Sequence, residues 1–388
     1  MRHDNTVFHQ LTKHIPWDVF DAAVETHKAD HRVRTLRTRD QFVSLLYGQV
    51  SGAASLRGIE DGLMAQRARL YHLGARPVHR SSLADANAKR PSAVYESVFA
   101  ALVVRAKPGL RRTLRPAVRR LDSSKVLLSG RSGGWVKEIK QHHAAKLHVL
   151  YCPGEAMPVQ AKVTAHQVSD LRLAERLPID PGATYVFDLA YYKYAWWKQL
   201  DAAGCRFVTR MKTTTQLRGR QQRPALPGST TIVSDATGQL GRHVKTGRNP
   251  YTATVREVVV RRQDGQGKVT RLRLITNDLK APAQEIADLY KTRWQVELFF
   301  RWIKQTLAIR HFIGTSENAV RTQIFIALIA FLLLRAAHKA QNAIKRPTAF
   351  ARLVRLNIMH RKPINALKDP PETPTKYPNQ LSMHLAPG

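Results

Sequence analysis

Tyr290, Arg293, Glu297 and Lys304 stand in the spacing Y-x2-R-x3-E-x6-K within YKTRWQVELFFRWIK. At 100° per residue, all four would fall within about 60° of arc on one continuous helix. A carboxylate flanked by two cations and a phenol on one stripe suits a metal ion beside a phosphate backbone. The glutamate would hold the cation, and the other three would hold phosphate oxygens. The same stripe also reads as a solvated face carrying an Arg293–Glu297 ion pair one turn apart. Metal-assisted phosphoryl chemistry asks for more carboxylates, because two divalent ions must be clamped to activate the attacking oxygen and stabilise the leaving one. Acids are scarce in this chain, and two sit where burial would be costly: Asp122 inside VRRLDSSKVLL, and Asp188 directly after Tyr185-Val186-Phe187. Taken singly, Asp122 reads equally well as an Asx turn with Ser123 and Ser124 or as a helix cap, and Asp188 as a cap for the helix that follows.

The elements that must position these residues follow from periodicity and punctuation. Residues 1–105 predict helices: QFVSLLYGQVSG and LRGIEDGLMAQRARLYHLG carry apolar residues at steps of three and four, with Gly74 as a stop. HRSSLADANAKRP predicts a short helix with Ser81 or Ser82 as N-cap and Pro91 after its end. Such a helix pair could enter a DNA groove, or could be a small helical domain with a solvated basic face. Between Ala101 and Arg120 seven basic residues and no acid, broken by Pro108 and Pro116, read as a basic linker. Strands are expected in AVRRLDSSKVLL, AKLHVLYC and PVQAKVTAHQV, the last two separated by a turn at Pro153-Gly154. An amphipathic SDLRLAERL, a strand in ATYVFDLAYY, a helix in YAWWKQLDAAG closed by Gly204 and a strand in CRFVTRMKT complete an α/β core with a mixed sheet. TTIVSD, HVKT, TATVREVVVRR and VTRLRLIT, with turns such as Asp264-Gly265, predict a β-rich insertion at 218–278. Helical pattern resumes in APAQEIADLYKTRWQVELFFRWIKQTL and the apolar stretch at 320–340. The expected units are therefore 1–105, 106–217, 218–278, 279–340 and a basic tail at 341–388.

Composition narrows the class of function. With 63 Lys plus Arg against 28 Asp plus Glu, the formal charge of this 388-residue chain is +35, which favours a polyanion through phosphate neutralisation and counterion release. The cations are spread through core-forming sequence, not collected in a low-complexity arm. Two cysteines, Cys152 and Cys205, suit a reducing compartment and suggest neither a disulfide framework nor a zinc finger. The N-terminal stretch has no apolar leader, and the longest apolar run, Ile324 to Leu334, is about half of a bilayer span. The expectation is a cytoplasmic protein with no membrane partner. No GxSxG, Walker or Rossmann pattern supports a hydrolase, NTPase or dehydrogenase. Asp85 is an upstream rival for the first carboxylate but lies in helical sequence. His142, His143 and His148 read as surface or strand histidines, Trp294 and Trp302 as core residues of the signature helix, and Trp135, Trp196 and Trp197 as core more than as base-stacking platforms.

Taken together, RRLDSSKV, YVFDLAYY and YKTRWQVELFFRWIK resemble the DDE transposases of bacterial insertion sequences, in the group marked by a Tyr-Arg-Glu-Lys signature. The likeness covers most of the chain, from HRSSLADANAKR through AAKLHV to GTSENAVRTQIFIALIAFLLL. It implies a ribonuclease-H-like catalytic core interrupted by the β-rich insertion and preceded by a helical N-terminal DNA-binding domain. It implies that Asp122, Asp188 and Glu297 are catalytic and hold two Mg²⁺, with Mn²⁺ able to substitute. One ion would activate the water that cuts at the element's edge, and the freed 3′-OH would then attack target DNA in line. Arg293 and Lys304 would hold backbone phosphates and Tyr290 would orient the same strand. The implied partners are double-stranded DNA, as terminal inverted repeats and as target, and a second copy in a synaptic dimer, in the bacterial cytoplasm at the nucleoid. Residues 218–280 contain no tryptophan and a single aromatic, Tyr251, so no base-receiving tryptophan is implied there. The alternative is a non-catalytic DNA-binding protein, a decayed copy or a repressor of the element; three intact carboxylates argue against decay.

Overall fold

The computed structural model describes residues 5–106, 117–128, 135, 138–139, 142–224, 231–241, 249–263, 267, 269–307 and 312–369. Its N-terminal part is helical, as the periodicity predicts: α1 (Val7–Thr12), α2 (Trp17–Thr26), α3 (Thr38–Ser51), α4 (Leu56–Ala65), α5 (Arg67–Leu70), α6 (Arg80–Lys89) and α7 (Ala93–Ala106). The caps are local: the Thr6 hydroxyl accepts from His9 N at 3.1 Å and the Ser55 hydroxyl from Gly58 N at 3.1 Å. Gly74 stops its segment at φ +61, a left-handed conformation that suits glycine. One cap differs from expectation. The helix of HRSSLADANAKRP begins at Arg80 with His79 as N-cap, so Ser81 and Ser82 lie exposed within its first turn. Its register is set instead by Leu83, Ala86 and Asn87, which face the core.

The sheet has ten strands: β1 (Val118–Leu128), β2 (Glu138–Ile139), β3 (His142–Cys152), β4 (Met157–Ala165), β5 (Thr184–Val186), β6 (Arg206–Arg210), β7 (Leu217–Gln222), β8 (Ile232–Leu240), β9 (Thr254–Gln263) and β10 (Val269–Thr276). Their order is β2-β3-β1-β5-β6-β10-β9-β8-β7, with β4 also pairing β3. β1 is antiparallel to β3 and β3 to β4, while β1, β5 and β6 run parallel. Between β4 and β6 lie α8 (Asp170–Ala174) and α9 (Tyr194–Ala202). Trp196 and Trp197 of α9 are buried against Phe187 and Phe207, with ring centroids 4.8 and 5.1 Å apart, and this fixes the helix to β5 and β6.

Three sequence expectations change here. The strand predicted across ATYVFDLAYY lasts only Thr184–Val186, because the Asp188 carboxylate accepts the Ala190 N–H at 2.9 Å and turns the chain into a single 3-10 turn. The β-rich segment at 218–278 does not leave the sheet: β10 adds antiparallel to β6, and β9, β8 and β7 follow in series. β7, LRGRQQ, is polar and almost wholly exposed, so no alternation marks it. HVKT, Asp264-Gly265 and the 107–116 part of the expected linker lie outside the described residues.

After β10 come α10 (Ala283–Lys291), α11 (Trp294–Thr306), α12 (Glu317–Lys339) and α13 (Pro347–Leu356). α12 runs beyond its apolar stretch, capped by the Ser316 hydroxyl, and is long and apolar enough to cross a membrane. Most of its apolar window is instead buried by α3, α6, α7 and α13, as in the core helix of a globular protein. The segment expected as a basic tail is folded as far as residue 369. Phe350 and Val354 of α13 are buried, and the carbonyls of His360 and Ile358 accept from Val7 N and Phe8 N at 3.0 and 2.8 Å. Residues 370–388 of that expectation lie outside the described residues.

Candidate active site

The two aspartates meet because of strand register. β1 and β5 are adjacent and parallel, with Arg120 opposite Val186; continued by two residues, the same register sets Asp188 level with Asp122. Neighbouring strands lie about 4.8 Å apart, so both carboxylates gather at the carboxyl end of β5, where open α/β sheets bind their ligands. The two sense each other: burial first, and then the negative charges of Asp188 and Glu297, raise the Asp122 carboxyl to about 6. The Ser123 N–H, donating at 2.8 Å, and the Arg293 guanidinium pull the other way without overcoming this.

Glu297 lies in the first turn of α11. The signature residues do not share one continuous helix, because the chain breaks between α10 and α11. At the joint Arg293 N bonds Tyr290 O and Val296 N bonds Arg293 O, three residues back and not four. The Thr292 hydroxyl donates to Leu289 O at 2.7 Å and accepts from the Arg120 guanidinium, which also donates to Gln295 Oε1 at 2.7 Å. At the far end of α11, Lys304 Nζ donates to the Lys125 carbonyl at 2.8 Å. The helix is thus tied to β1 at both ends. Arg120 is a positioning residue, although its place in the sequence is the end of the expected basic linker. What marks it is burial at 3% exposure, with the guanidinium pKa pushed down to about 10 by desolvation.

Arg293 is the centre of the site as folded. Its guanidinium donates to Glu297 Oε1 at 2.6 Å and reaches Asp122 Oδ2 at 3.4 Å. Burial works against its charge, but Tyr290, Asp122 and Glu297 outweigh that and raise its pKa. Tyr290 is buried on α10, with Arg293 over its ring at 6.0 Å, and burial raises its phenol pKa. A second tyrosine, Tyr191, is not among the sequence candidates although it stands three residues after Asp188. It is buried, and desolvation together with Asp170, Asp122 and Asp188 lifts its hydroxyl well above the usual range.

The remaining candidates fall elsewhere. Asp85 is exposed on α6 beside Lys89. His148 is a buried strand histidine between Thr164 and Asp170, held neutral by burial with a pKa of about 4. Trp302 packs on Phe331, but Trp294 is 50% exposed on the Glu297 side of α11 and not in the core, where its pattern predicts it. Within α11 it shares the exposed face of Glu297, Leu298 and Arg301, opposite buried Val296, Phe299, Phe300 and Ile303.

Three carboxylates with hard oxygen donors suit a divalent cation in kind. Among the described residues no three His, Cys, Asp or Glu side chains converge closely enough to hold an ion as they stand. The place between Asp122 and Glu297 is bridged by the Arg293 guanidinium, a cation that already answers their charge.

Comparison with known proteins agrees with this chemistry. A family model described as the transposase DDE domain matches residues 115–333, more than half of the chain and all three carboxylates, and a domain of unknown function matches residues 3–76. The chain is 38% identical over 309 residues to a Sinorhizobium fredii protein named as transposase y4zB, a match covering 77% of this chain and 85% of the relative. It is 32% identical over 260 residues to a protein of Geobacillus stearothermophilus named as a transposase for insertion sequence element IS5377, covering 66% of this chain and 67% of the relative. A piggyBac transposase synaptic complex with hairpin DNA superposes at a TM-score of 0.45 and 10% identity over 96% of this chain and 84% of that one, a likeness too distant to argue from. The chain belongs to the transposase DDE domain family and is a transposase, a metal-dependent DNA endonuclease and strand transferase of a mobile element.

Proposed function

We propose that Asp122, Asp188 and Glu297 are the metal-holding catalytic residues of this transposase. They would take two Mg²⁺, with Mn²⁺ able to substitute, at a ribonuclease-H-like core of the Tyr-Arg-Glu-Lys group. The observation that carries this is the register of β1 with β5, which levels the two aspartates, combined with α11 pinned across them by Arg120. A strand order of β4-β3-β1-β5-β6, antiparallel in its first three members and parallel in its last three, supports the ribonuclease-H-like reading.

When bound, the divalent ions supply an activated water and a clamp on the attacking and leaving oxygens. The chain's own residues do the rest. Arg293 swings from its bridge on Asp122 and Glu297 to a backbone phosphate of the element's end, freeing both carboxylates for the cations. Lys304, one helical run further along α11, holds the next phosphate, and Tyr290 keeps the Arg293 stem aligned. The 3′-OH freed by cutting at the terminal repeat attacks target DNA directly, with no covalent protein intermediate. The helices of 1–105 engage the terminal repeat, 106–217 and 279–340 build the core on either side of the 218–278 strands, and two copies pair the two ends.

The test is cleavage of a labelled duplex carrying the element's end, in Mg²⁺, in Mn²⁺ and in EDTA, by wild type and Glu297→Ala. Nicking at the repeat boundary that needs metal and disappears in the variant, while DNA binding survives, is the expected result. Binding without cleavage in any metal would leave the three acids structural.

A further inference from the structure

We propose that a groove between the 27–37 loop and the end of α6 grips the phosphate backbone of duplex DNA, with Lys28, Arg32 and Arg34 as the phosphate-binding cations. The proposal rests on the reading that the N-terminal helices engage DNA, and it names where and how they do so. The groove encloses about 550 Å³ and is lined by His27, Lys28, His31, Arg32, Arg34 and Lys89 among others. Of the acids nearby, Asp21 and Glu25 share the adjoining depression with Lys28 and His31, and none forms an ion pair with Lys28, Arg32 or Arg34 among the described residues. Asp30 is turned inward, accepting both the N–H and the hydroxyl of Thr38 at 2.7 Å. Asp85 faces Lys89 on its own helix at 3.6 Å. Lys28, Arg32 and Arg34 are exposed, and among the described residues their side chains meet no hydrogen-bond or ion-pair partner.

The backbone of the loop fixes where these side chains start, Lys28 standing at the C′ position of a Schellman cap on α2. Lys28 at φ +49 and Arg32 at φ +56 are two of three non-glycine residues in the left-handed region among the described residues, where glycine would sit without steric cost. The loop is nonetheless held in one shape. Lys28 N bonds Glu25 O at 2.9 Å, Ala29 N bonds Val24 O at 2.9 Å, His31 N bonds Lys28 O at 3.0 Å, and Ala29 is buried. Buried Arg90 ties the far wall to the loop by donating to Leu36 O and to Gln41 Oε1 at 3.2 Å. Asn318 at the start of α12 donates to Asn87 O at 3.0 Å and to Arg90 O, locking that wall to the central helix. The backbone that carries these cations is fixed, so only side-chain freedom is lost on meeting phosphate, and DNA is the polyanion this enzyme handles.

The experiment uses the full chain and a labelled duplex of arbitrary sequence, with affinity read across a series of salt concentrations. Each phosphate that is no longer neutralised lowers the slope of log K against log salt by about 0.9, so Lys28→Ala/Arg32→Ala/Arg34→Ala is expected to lower it by roughly two to three. A charge-matched control, Arg105→Ala/Arg321→Ala/Lys339→Ala, removes cations already facing acids and is expected to keep the slope. Lys28→Gly/Arg32→Gly separates function from folding: it relieves the left-handed strain, so it should melt higher than wild type and still bind DNA more weakly. A photocrosslinker at exposed position 84 on α6 reports whether the N-terminal helices touch DNA at all. Crosslinking with an unchanged slope in the triple variant overturns the groove and leaves the N-terminal reading standing. No crosslinking and an unchanged slope overturn both.

Discussion

Two groups of carboxylates and arginines sit on the same sheet and behave in opposite ways. At the β8–β9 end, Asp235 takes a two-pronged bond from Arg256 at 2.8 and 2.7 Å, and Glu257 is flanked by Arg273 and Arg220. Close by, burial pushes the Asp278 carboxyl up, but the N–H groups of Ala281 and Lys280, both at 2.9 Å, and the Arg206 guanidinium at 2.8 Å outweigh it and hold its pKa low. At the β1–β5 end, Asp122 has one N–H and a distant guanidinium, and two carboxylates for neighbours, and its pKa rises to about 6. Both acids are withdrawn from water, with side chains 7% and 17% exposed. Burial raises both, and the number of donors set against it separates a carboxylate that is structural from one left wanting a cation.

The largest effect should come from exchanging the neutral isostere at both places. Asp122→Asn should lower single-turnover nicking by about a thousandfold or more, as loss of a group acting only in the transition state does, with no loss of melting temperature. Asp278→Asn should do the reverse, keeping the chemistry and melting lower. Equal melting behaviour of the two would break the contrast. Next, Asp235→Ala leaves Arg256 buried and unanswered, and urea unfolding should find the chain about 3–5 kcal/mol less stable.

Metal should also tell the groups apart. Mn²⁺ at a hundred times its dissociation constant should add about 2.7 kcal/mol to the stability of wild type and nothing to that of Asp122→Asn. Titration sharpens this from the other side. A carboxyl whose folded pKa lies above its unfolded value of 3.8 costs stability when ionised. That cost is full above about pH 6 and is relieved as pH falls toward 4, because the folded state takes up the proton first. In metal-free buffer Asp122→Asn should therefore exceed wild type by on the order of 2 kcal/mol at pH 7, a gap closing by about pH 4. For Asp278 the sign inverts: its contribution is present above the unfolded value and is lost as pH falls below it. Smallest of all, Trp294→Ala should move stability by under about 0.5 kcal/mol, since half of the ring is already in water.

Much of this site is legible in the sequence because its acids are exceptions to local pattern. Asp122 interrupts an apolar strand, Asp188 ends one, and Glu297 sits in a spacing that chance seldom produces. Arg120 is not legible, since a buried arginine and a linker arginine look alike until the partner, 172 residues away at Thr292, is known. The break between α10 and α11 is hidden for a similar reason. Thr292 is an ordinary helical residue until a guanidinium claims its hydroxyl. β8, β9 and β10 are legible as strands, but their joining of the main sheet is not, because β10 finds β6 across some sixty residues, a long-range pairing that local propensity does not encode. The folding of residues 341–369 escapes the pattern because charge conceals Phe350 and Val354, which carry the packing of α13.

The position of α12 bears on how the molecule comes into being during synthesis. Helices α1, α3, α6 and α7 bury their apolar faces on residues 317–339, more than two hundred positions downstream. On the ribosome, those early helices can pack on one another as they emerge, but the faces that α12 covers stay open until almost the whole message has been read. A stop codon before that point would leave those apolar faces uncovered.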